Sequence, residues 1–143
     1  MSSPTSVSVA ILGAAGTIAP AIVRDLAASE EAASLLLLDL DAGRATAVAS
    51  EHGGGKARAA GADARDPAAL AAALDGVDVL INSASYRINL DAMHACLAAG
   101  CHYLDLGGLY WMTRPASSSS IRSSGARGGW RSWGSAPVRA RPT

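Results

Sequence analysis

The residues best suited to chemistry lie in a glycine-containing turn near the amino terminus. Gly13 and Gly16 follow an aliphatic run, Val7 to Leu12, and apolar side chains then recur with helical spacing. This order predicts a strand, a tight turn and a helix N-terminus, whose backbone N–H groups bind the diphosphate of a dinucleotide. Glycine keeps side chains away from such a ligand. We therefore predict cofactor contacts at Gly13, Ala14, Ala15, Gly16, Thr17 and Ile18.

The turn departs from the full dinucleotide fingerprint. It reads Gly13-x-x-Gly16-x-x-Ala19, with Ala15 and Ile18 where the second and third glycines of a G-x-G-x-x-G motif would stand. The alternative interpretation is a strand-to-helix turn that binds no ligand. The remaining elements therefore have to support the cofactor assignment.

An acidic residue supplies the second part of a dinucleotide site. The apolar run Ser34 to Leu38 ends at Asp39, and a carboxylate at this position accepts hydrogen bonds from the adenosine ribose. Asp41 is predicted to cap the next helix, which leaves Asp39 for the ribose. A carboxylate repels a 2′-phosphate, so Asp39 favours NAD over NADP. Arg44, close by in sequence, is the residue that could receive a phosphate instead.

Small polar residues follow a later strand, predicted over Val77 to Ile81. Asn82 and Ser83 come next, and the end of this strand faces the same crevice as Gly13. We predict that both residues touch the cofactor. A polar turn without a ligand contact is the alternative.

Metal and membrane chemistry are not expected. His94, Cys96, Cys101 and His102 lack the paired spacing of a metal site. The two cysteines are poor disulfide partners, which suits a reducing compartment. The chain has no apolar run near the roughly 20 residues of a membrane span and no visible signal peptide. We expect a cytoplasmic protein with no membrane partner.

The pattern of elements places these residues on an α/β fold. Strands and helices alternate, with Asp66 and Asn89 predicted as helix caps. Such alternation predicts a Rossmann-like, doubly wound parallel sheet of five strands in the order 3-2-1-4-5, with a crevice between strands one and four. The predicted strands are 7–12, 34–38, 57–60, 77–81 and 102–106, and the predicted helices are 19–29, 42–52, 67–74 and 89–99.

Several segments together resemble a known family. They are Val9 to Gly16, Leu38 to Asp41, Val77 to Asn82 and, most specifically, Ala95 to Asp105. They resemble the N-terminal nucleotide-binding domain of saccharopine dehydrogenase-like enzymes, over roughly Val7 to Thr113. The resemblance implies an NAD(P)-dependent oxidoreductase acting on a carbon–nitrogen bond of an amino-acid-like substrate. It places Gly13, Gly16 and Asp39 at the cofactor and Asp105 near the substrate.

The composition changes abruptly after residue 113. The first 113 residues hold six basic and twelve acidic residues, whereas residues 114–143 hold six arginines and no acidic residue. We predict a dinucleotide-binding domain over 1–113 and a disordered tail over 114–143. Three interpretations of this tail compete. It is a basic arm that binds nucleic acid, a solvated tail without a partner, or the product of a shifted reading frame. The arginine-rich, alanine-rich composition favours the shifted frame, so nucleic acid is not the expected partner.

The resemblance also carries expectations about the whole chain. Members of the family continue with a sixth strand and a substrate domain, so the nucleotide-binding domain is expected to be truncated and inactive alone. Strand five would then expose Tyr103, Leu104 and Leu106 at an edge and promote self-association. The alternative functions are a non-catalytic dinucleotide-binding sensor of the atypical short-chain type and a basic-tailed nucleic-acid binder.

Overall fold

The computed structural model describes residues 6–107, and the predicted tail over 114–143 lies outside the described residues. Strands and helices alternate along this part of the chain. The strands are β1 Val7–Leu12, β2 Ala32–Asp39, β3 Ala57–Gly61, β4 Val79–Asn82 and β5 His102–Asp105. The helices are α1 Ala19–Ala28, α2 Ala42–His52, α3 Pro67–Ala73 and α4 Asn89–Ala99, and a 3-10 turn spans Tyr86–Ile88. The observed bounds lie within about two residues of the predicted ones.

The five strands form one parallel sheet in the order β3-β2-β1-β4-β5, which confirms the predicted fold. Leu12 at the end of β1 pairs with Leu38 on one side and Asn82 on the other, and Asn82 pairs with Asp105. The carboxyl ends of four strands therefore share one edge of the sheet. The chain reverses its direction of winding between β1 and β4, where α/β sheets form their ligand crevice.

Apolar side chains on both faces of the central strands make two hydrophobic layers. Ile11 and Leu37 pack on one face with residues from α1 and α2, including Val23. Leu12 and Leu38 pack on the other face with residues from α3 and α4. Alternate residues of a strand point to opposite faces, which explains why residues 9–12 of β1 and 35–38 of β2 are all apolar. The sheet is thus covered on both sides and holds its carboxyl edge rigidly.

Two of the three predicted helix caps are confirmed. Asp41 accepts a hydrogen bond from Arg44 N at 3.0 Å, and Asp66 accepts one from Ala69 N at 3.1 Å. The prediction for Asn89 is wrong, because this residue is already helical and Ile88 precedes it without a side-chain cap. The 3-10 turn runs directly into α4, so the capping side chain is Ser85 at the start of that turn. The Asn89 side chain is left for a different role.

The end of α4 brings the two cysteines together. Gly100 adopts a left-handed conformation, and the N–H groups of Gly100 and Cys101 both donate to Cys96 O, at 2.8 and 3.0 Å. This helix ending places the residue after the glycine against the last helical turn. Both thiols are free and buried, and the hydrogen bond with Cys101, together with burial, raises the pKa of Cys96. None of the helices within residues 6–107 has the length and apolar character to cross a membrane.

Candidate functional site

The glycine turn is fastened to the neighbouring strand β2. Gly13 N and Ala14 N both donate to Leu38 O, at 2.8 and 3.2 Å, and Gly16 N donates to Gly13 O at 3.0 Å. These bonds curl the chain directly after β1, between the ends of β2 and β4. The turn is therefore preformed at the crevice.

Gly13 is required for a reason that the sequence does not reveal. Its φ of +80° favours glycine, and a Cβ added to it would lie 2.7 Å from the Cβ of Ala84. The sequence pattern predicts that this position lacks a side chain to leave space for the ligand. The loop after β4 also packs against Gly13, and space for a ligand there stays a prediction. At Gly16 the nearest atom to an added Cβ is Gly13 O, at 3.1 Å.

The first turn of α1 offers backbone donors at the crevice. Ile18 occupies the N-cap position but makes no side-chain hydrogen bond to the helix, and Pro20 lies in the first turn. Thr17 and Ile18 are exposed. A helix N-terminus of this kind carries partial positive charge and unpaired N–H groups that suit a diphosphate. The geometry here matches the predicted strand, turn and helix order.

Asp39 lies directly against the glycine turn. Its Oδ2 accepts a hydrogen bond from Ala15 N at 2.9 Å, and its Oδ1 accepts one from Asp41 N at 3.0 Å. Two residues that are 24 positions apart therefore meet at one point of the crevice. A carboxylate oxygen has capacity for further hydrogen bonds, so this arrangement leaves Asp39 able to accept from a ribose. Contact with the ribose stays a prediction.

Helix α2 adds a cationic residue to the same place. Arg44 Nη2 donates at 3.1 Å to the carbonyl of Ala15, the residue whose N–H bonds to Asp39. A cleft of about 280 Å³ lies between the start of α1 and this face of α2. Its lining includes Ala15, Gly16, Thr17, Pro20, Arg44 and Glu51. The sequence named Arg44 only as a rival phosphate ligand, and it gave no sign that Glu51 would line the cleft.

The loop after β4 separates the roles of Asn82 and Ser83. Ser83 N and Oγ donate to Leu12 O at 2.9 and 2.8 Å, which holds Ser83 beside the glycine turn. The Asn82 side chain is buried, and its Nδ2 donates to Asn89 Oδ1 at 2.8 Å and to Tyr103 OH at 3.3 Å. Ser83 therefore lies beside the turn, as predicted for a cofactor contact, whereas the Asn82 side chain points into the protein. Cofactor contact stays a prediction for both.

Asp105 lies at the end of β5, opposite Asn82 in the sheet. Its Oδ2 accepts from Asn89 Nδ2 at 3.3 Å, and its Oδ1 accepts from Gly107 N at 2.8 Å. Burial raises the pKa of the neighbouring Tyr103. Asp105 is half-buried on the crevice edge of the sheet, and its predicted role near the substrate stays a prediction.

The histidines and cysteines do not form a ligand cluster. His94 is exposed on α4, whereas Cys96 and Cys101 lie in the core. In the part of the chain that the structure describes, no group of three or more His, Cys, Asp and Glu side chains could hold a metal ion.

Comparisons with known proteins agree with this geometry. The family model described as the saccharopine dehydrogenase NADP binding domain matches residues 9–125. Apo saccharopine dehydrogenase (L-Glu forming) from Saccharomyces cerevisiae matches with a TM-score of 0.65 and 20% identity, over 83% of this chain and 24% of that one. The NADPH-dependent quinone oxidoreductase of Escherichia coli, complexed with NADPH, matches with a TM-score of 0.65 and 24% identity, over 78% and 45%. Triphenylmethane reductase from Citrobacter sp., complexed with NADP(H), matches with a TM-score of 0.63 and 19% identity, over 82% of this chain and 46% of that one.

The structural matches establish the fold, and the family model establishes the family. The chain spans about a quarter of the yeast enzyme and under half of the two reductases. The family match, in contrast, covers well over half of the 143 residues and includes the turn, Asp39 and the end of β5. The chain therefore belongs to the saccharopine dehydrogenase NADP binding domain family.

Proposed function

We propose that this chain binds a nicotinamide adenine dinucleotide, with the diphosphate on residues 13–18 and the adenosine ribose at Asp39. The observation that carries this proposal is the 2.9 Å hydrogen bond from Ala15 N to Asp39 Oδ2, which joins the diphosphate turn to the ribose carboxylate. Because the N–H groups of residues 13–16 donate within the protein, the N–H donors proposed for the diphosphate are those at the uncapped start of α1.

We also propose that NAD is preferred over NADP. A 2′-phosphate about 4 Å from the Asp39 carboxylate would be disfavoured by about 1 kcal/mol per charge pair in water and about 4 kcal/mol near a protein surface. The opposing group is Arg44, whose guanidinium reaches Ala15 O on the other side of the turn. Two backbone N–H groups orient the Asp39 carboxylate beside the turn, and this supports the choice of NAD.

We propose that the domain serves hydride transfer to or from a carbon–nitrogen bond of an amino-acid-like substrate in an enzyme that also has a substrate domain, and that this chain alone is inactive. Membership of the family supports this reaction class, and the half-buried Asp105 at the crevice edge is the residue we assign to the substrate side. A reducing, cytoplasmic setting is part of the proposal, because both cysteines of the described region are free.

Self-association through β5 is a further part of the proposal. Leu104 and Leu106 are more than half exposed, and within residues 6–107 no strand pairs with the outer side of β5. A strand edge that carries exposed apolar side chains favours pairing with another chain.

Calorimetric titration of the full chain with NAD and with NADP tests the proposed cofactor. We expect tighter binding of NAD, and we expect Asp39→Asn to weaken NAD roughly tenfold, because the amide lacks one acceptor oxygen and the charge. The matched control is Asp41→Asn, two residues away, since asparagine caps a helix as well as aspartate does.

Each result points to a definite conclusion. Equal or tighter binding of NADP would contradict the NAD preference, and loss of NADP binding in Arg44→Gln would then assign the phosphate to Arg44. Failure of the chain to bind either dinucleotide at millimolar concentration would overturn the proposed function.

A further inference from the structure

Two buried amides lie at the carboxyl edge of the sheet, beside the crevice. Asn82 and Asn89 are the only fully buried polar residues among residues 6–107, with exposures of 2% and 1%. They sit between the ends of β4 and β5 and the start of α4. A buried amide is unfavourable unless its hydrogen bonds are made, so each bond constrains the position of its partner.

The direction of the amide network is fixed by its backbone ends. Asn82 Oδ1 accepts from Ala84 N at 3.0 Å, so Asn82 Nδ2 must face Asn89 Oδ1, at 2.8 Å. Asn89 Nδ2 then donates to Asp105 Oδ2 at 3.3 Å, and Gly107 N donates to the other oxygen of that carboxylate. Each group in this chain of bonds determines the orientation of the next one.

One end of the network lies against the cofactor turn. Ala84 is the residue that packs on Gly13, with its Cβ, Cα and N all within 2.8 Å of where a Cβ on Gly13 would be. Ala84 is exposed, and the Asn82 side chain fixes its N–H through a hydrogen bond. A shift of Ala84 therefore changes the space available to the turn.

We propose that Asn82 and Asn89 are positioning residues of the dinucleotide site. They hold Ala84 against Gly13, which fixes the path of the turn into the start of α1, where N–H groups remain for the diphosphate, and they hold Asp105 at the other end. This inference rests on the proposed function for the identity of the ligand. It gives both amides a role that requires no contact with the cofactor.

The test compares Asn89→Ala and Asn82→Asp in the full chain with the control Leu70→Ala, whose apolar side chain is buried on α3 and has no part in the amide network. Asn82→Asp keeps the acceptor for Ala84 N but loses the donor to Asn89, and it serves as the second variant if Asn89→Ala does not fold. The readouts are the Kd for NAD by calorimetry and the amide resonances of Gly13 and Ala15 by NMR, under conditions in which each variant is folded.

We expect both network variants to bind NAD roughly tenfold more weakly, the effect of one misplaced hydrogen bond, and to shift the Gly13 and Ala15 resonances. Leu70→Ala should lose stability but retain the Kd and both resonances. Wild-type affinity and unshifted resonances in the network variants would overturn the inference and leave the proposed function intact. If the wild type binds no dinucleotide, the proposed function fails, and the resonances still decide whether the amides position the turn.

Discussion

At the scale of single residues, Gly13 and Ala84 meet at the centre of the site although 71 positions separate them in the chain. Gly76 offers a matched comparison, because it has nearly the same φ, +75° against +80°, but nothing lies within 4 Å of an added Cβ. An alanine at either position would have the same unfavourable φ, but only an alanine at position 13 would also overlap with neighbouring atoms.

We predict that Gly13→Ala destabilises the protein by about 1–3 kcal/mol more than Gly76→Ala does, since only the first substitution forces atoms to move in a packed region. Urea unfolding of the two variants measures the difference. Equal unfolding free energies would show that Ala84 moves aside without difficulty.

Ionisation of Tyr103 makes the stability of the protein depend on pH in the alkaline range. Burial raises the pKa of Tyr103 above its ordinary value of 10.0, so the unfolded chain releases this proton at a lower pH than the folded one does. The contribution of Tyr103 is therefore fully present below pH 10 and is lost as the pH rises towards the raised pKa.

We expect the unfolding free energy of the wild type to fall more steeply above pH 10 than that of Tyr103→Phe. Tyr86→Phe, which alters an exposed tyrosine, is the control and should follow the wild type. Parallel curves for all three proteins would contradict the assignment.

At the scale of elements, the helix caps are the places where one side chain stabilises a whole segment. Asp66 accepts from Ala69 N at the start of α3. We predict that Asp66→Ala lowers the unfolding free energy by about 1 kcal/mol, whereas Asp66→Asn has little effect. Thermal unfolding of both variants decides this, and an equal loss in the two would mean that charge, not capping, is what stabilises the helix.

Most of the elements could be predicted because their signals are local. The aliphatic run of β2 and the Asp66-Pro67 helix start each depend on residues that are neighbours in sequence. Even β3, whose alanines give a weak signal, follows from the regular alternation of strands and helices. The strand order then follows from the known preferences of parallel sheets.

The parts that could not be predicted depend on contacts between distant segments. Asn89 has the residue type and position of a cap, and only the 3-10 turn before it shows that its side chain turns inward. In the same way, the motif requires a glycine at position 13, but the atom that enforces it belongs to Ala84. Local patterns identify a residue type, whereas the packing partner determines its role.

At the scale of the whole molecule, the two edges of the sheet differ in their protection. Edge strand β3 carries the exposed, charged Arg58, whereas edge strand β5 carries the exposed Leu104. Charged residues on an edge strand discourage pairing with other chains. The β5 side is therefore the expected place of association.

We predict that Leu104→Lys lowers the apparent mass of the chain in sedimentation velocity experiments. His94→Lys, which adds a lysine on the exposed surface of α4, should leave the mass distribution unchanged. A wild-type chain that sediments as a monomer at all concentrations would contradict self-association through β5.

Cysteine labelling at the junction of α4 and β5 can measure how often this part of the protein opens. Because Cys96 and Cys101 are both buried at one helix ending, an alkylating reagent can reach them only when that junction opens. We expect mass spectrometry to show molecules with no label or with two labels, and few with one. The rate of double labelling then reports how often this junction opens, in the wild type and in each variant, without attaching any dye.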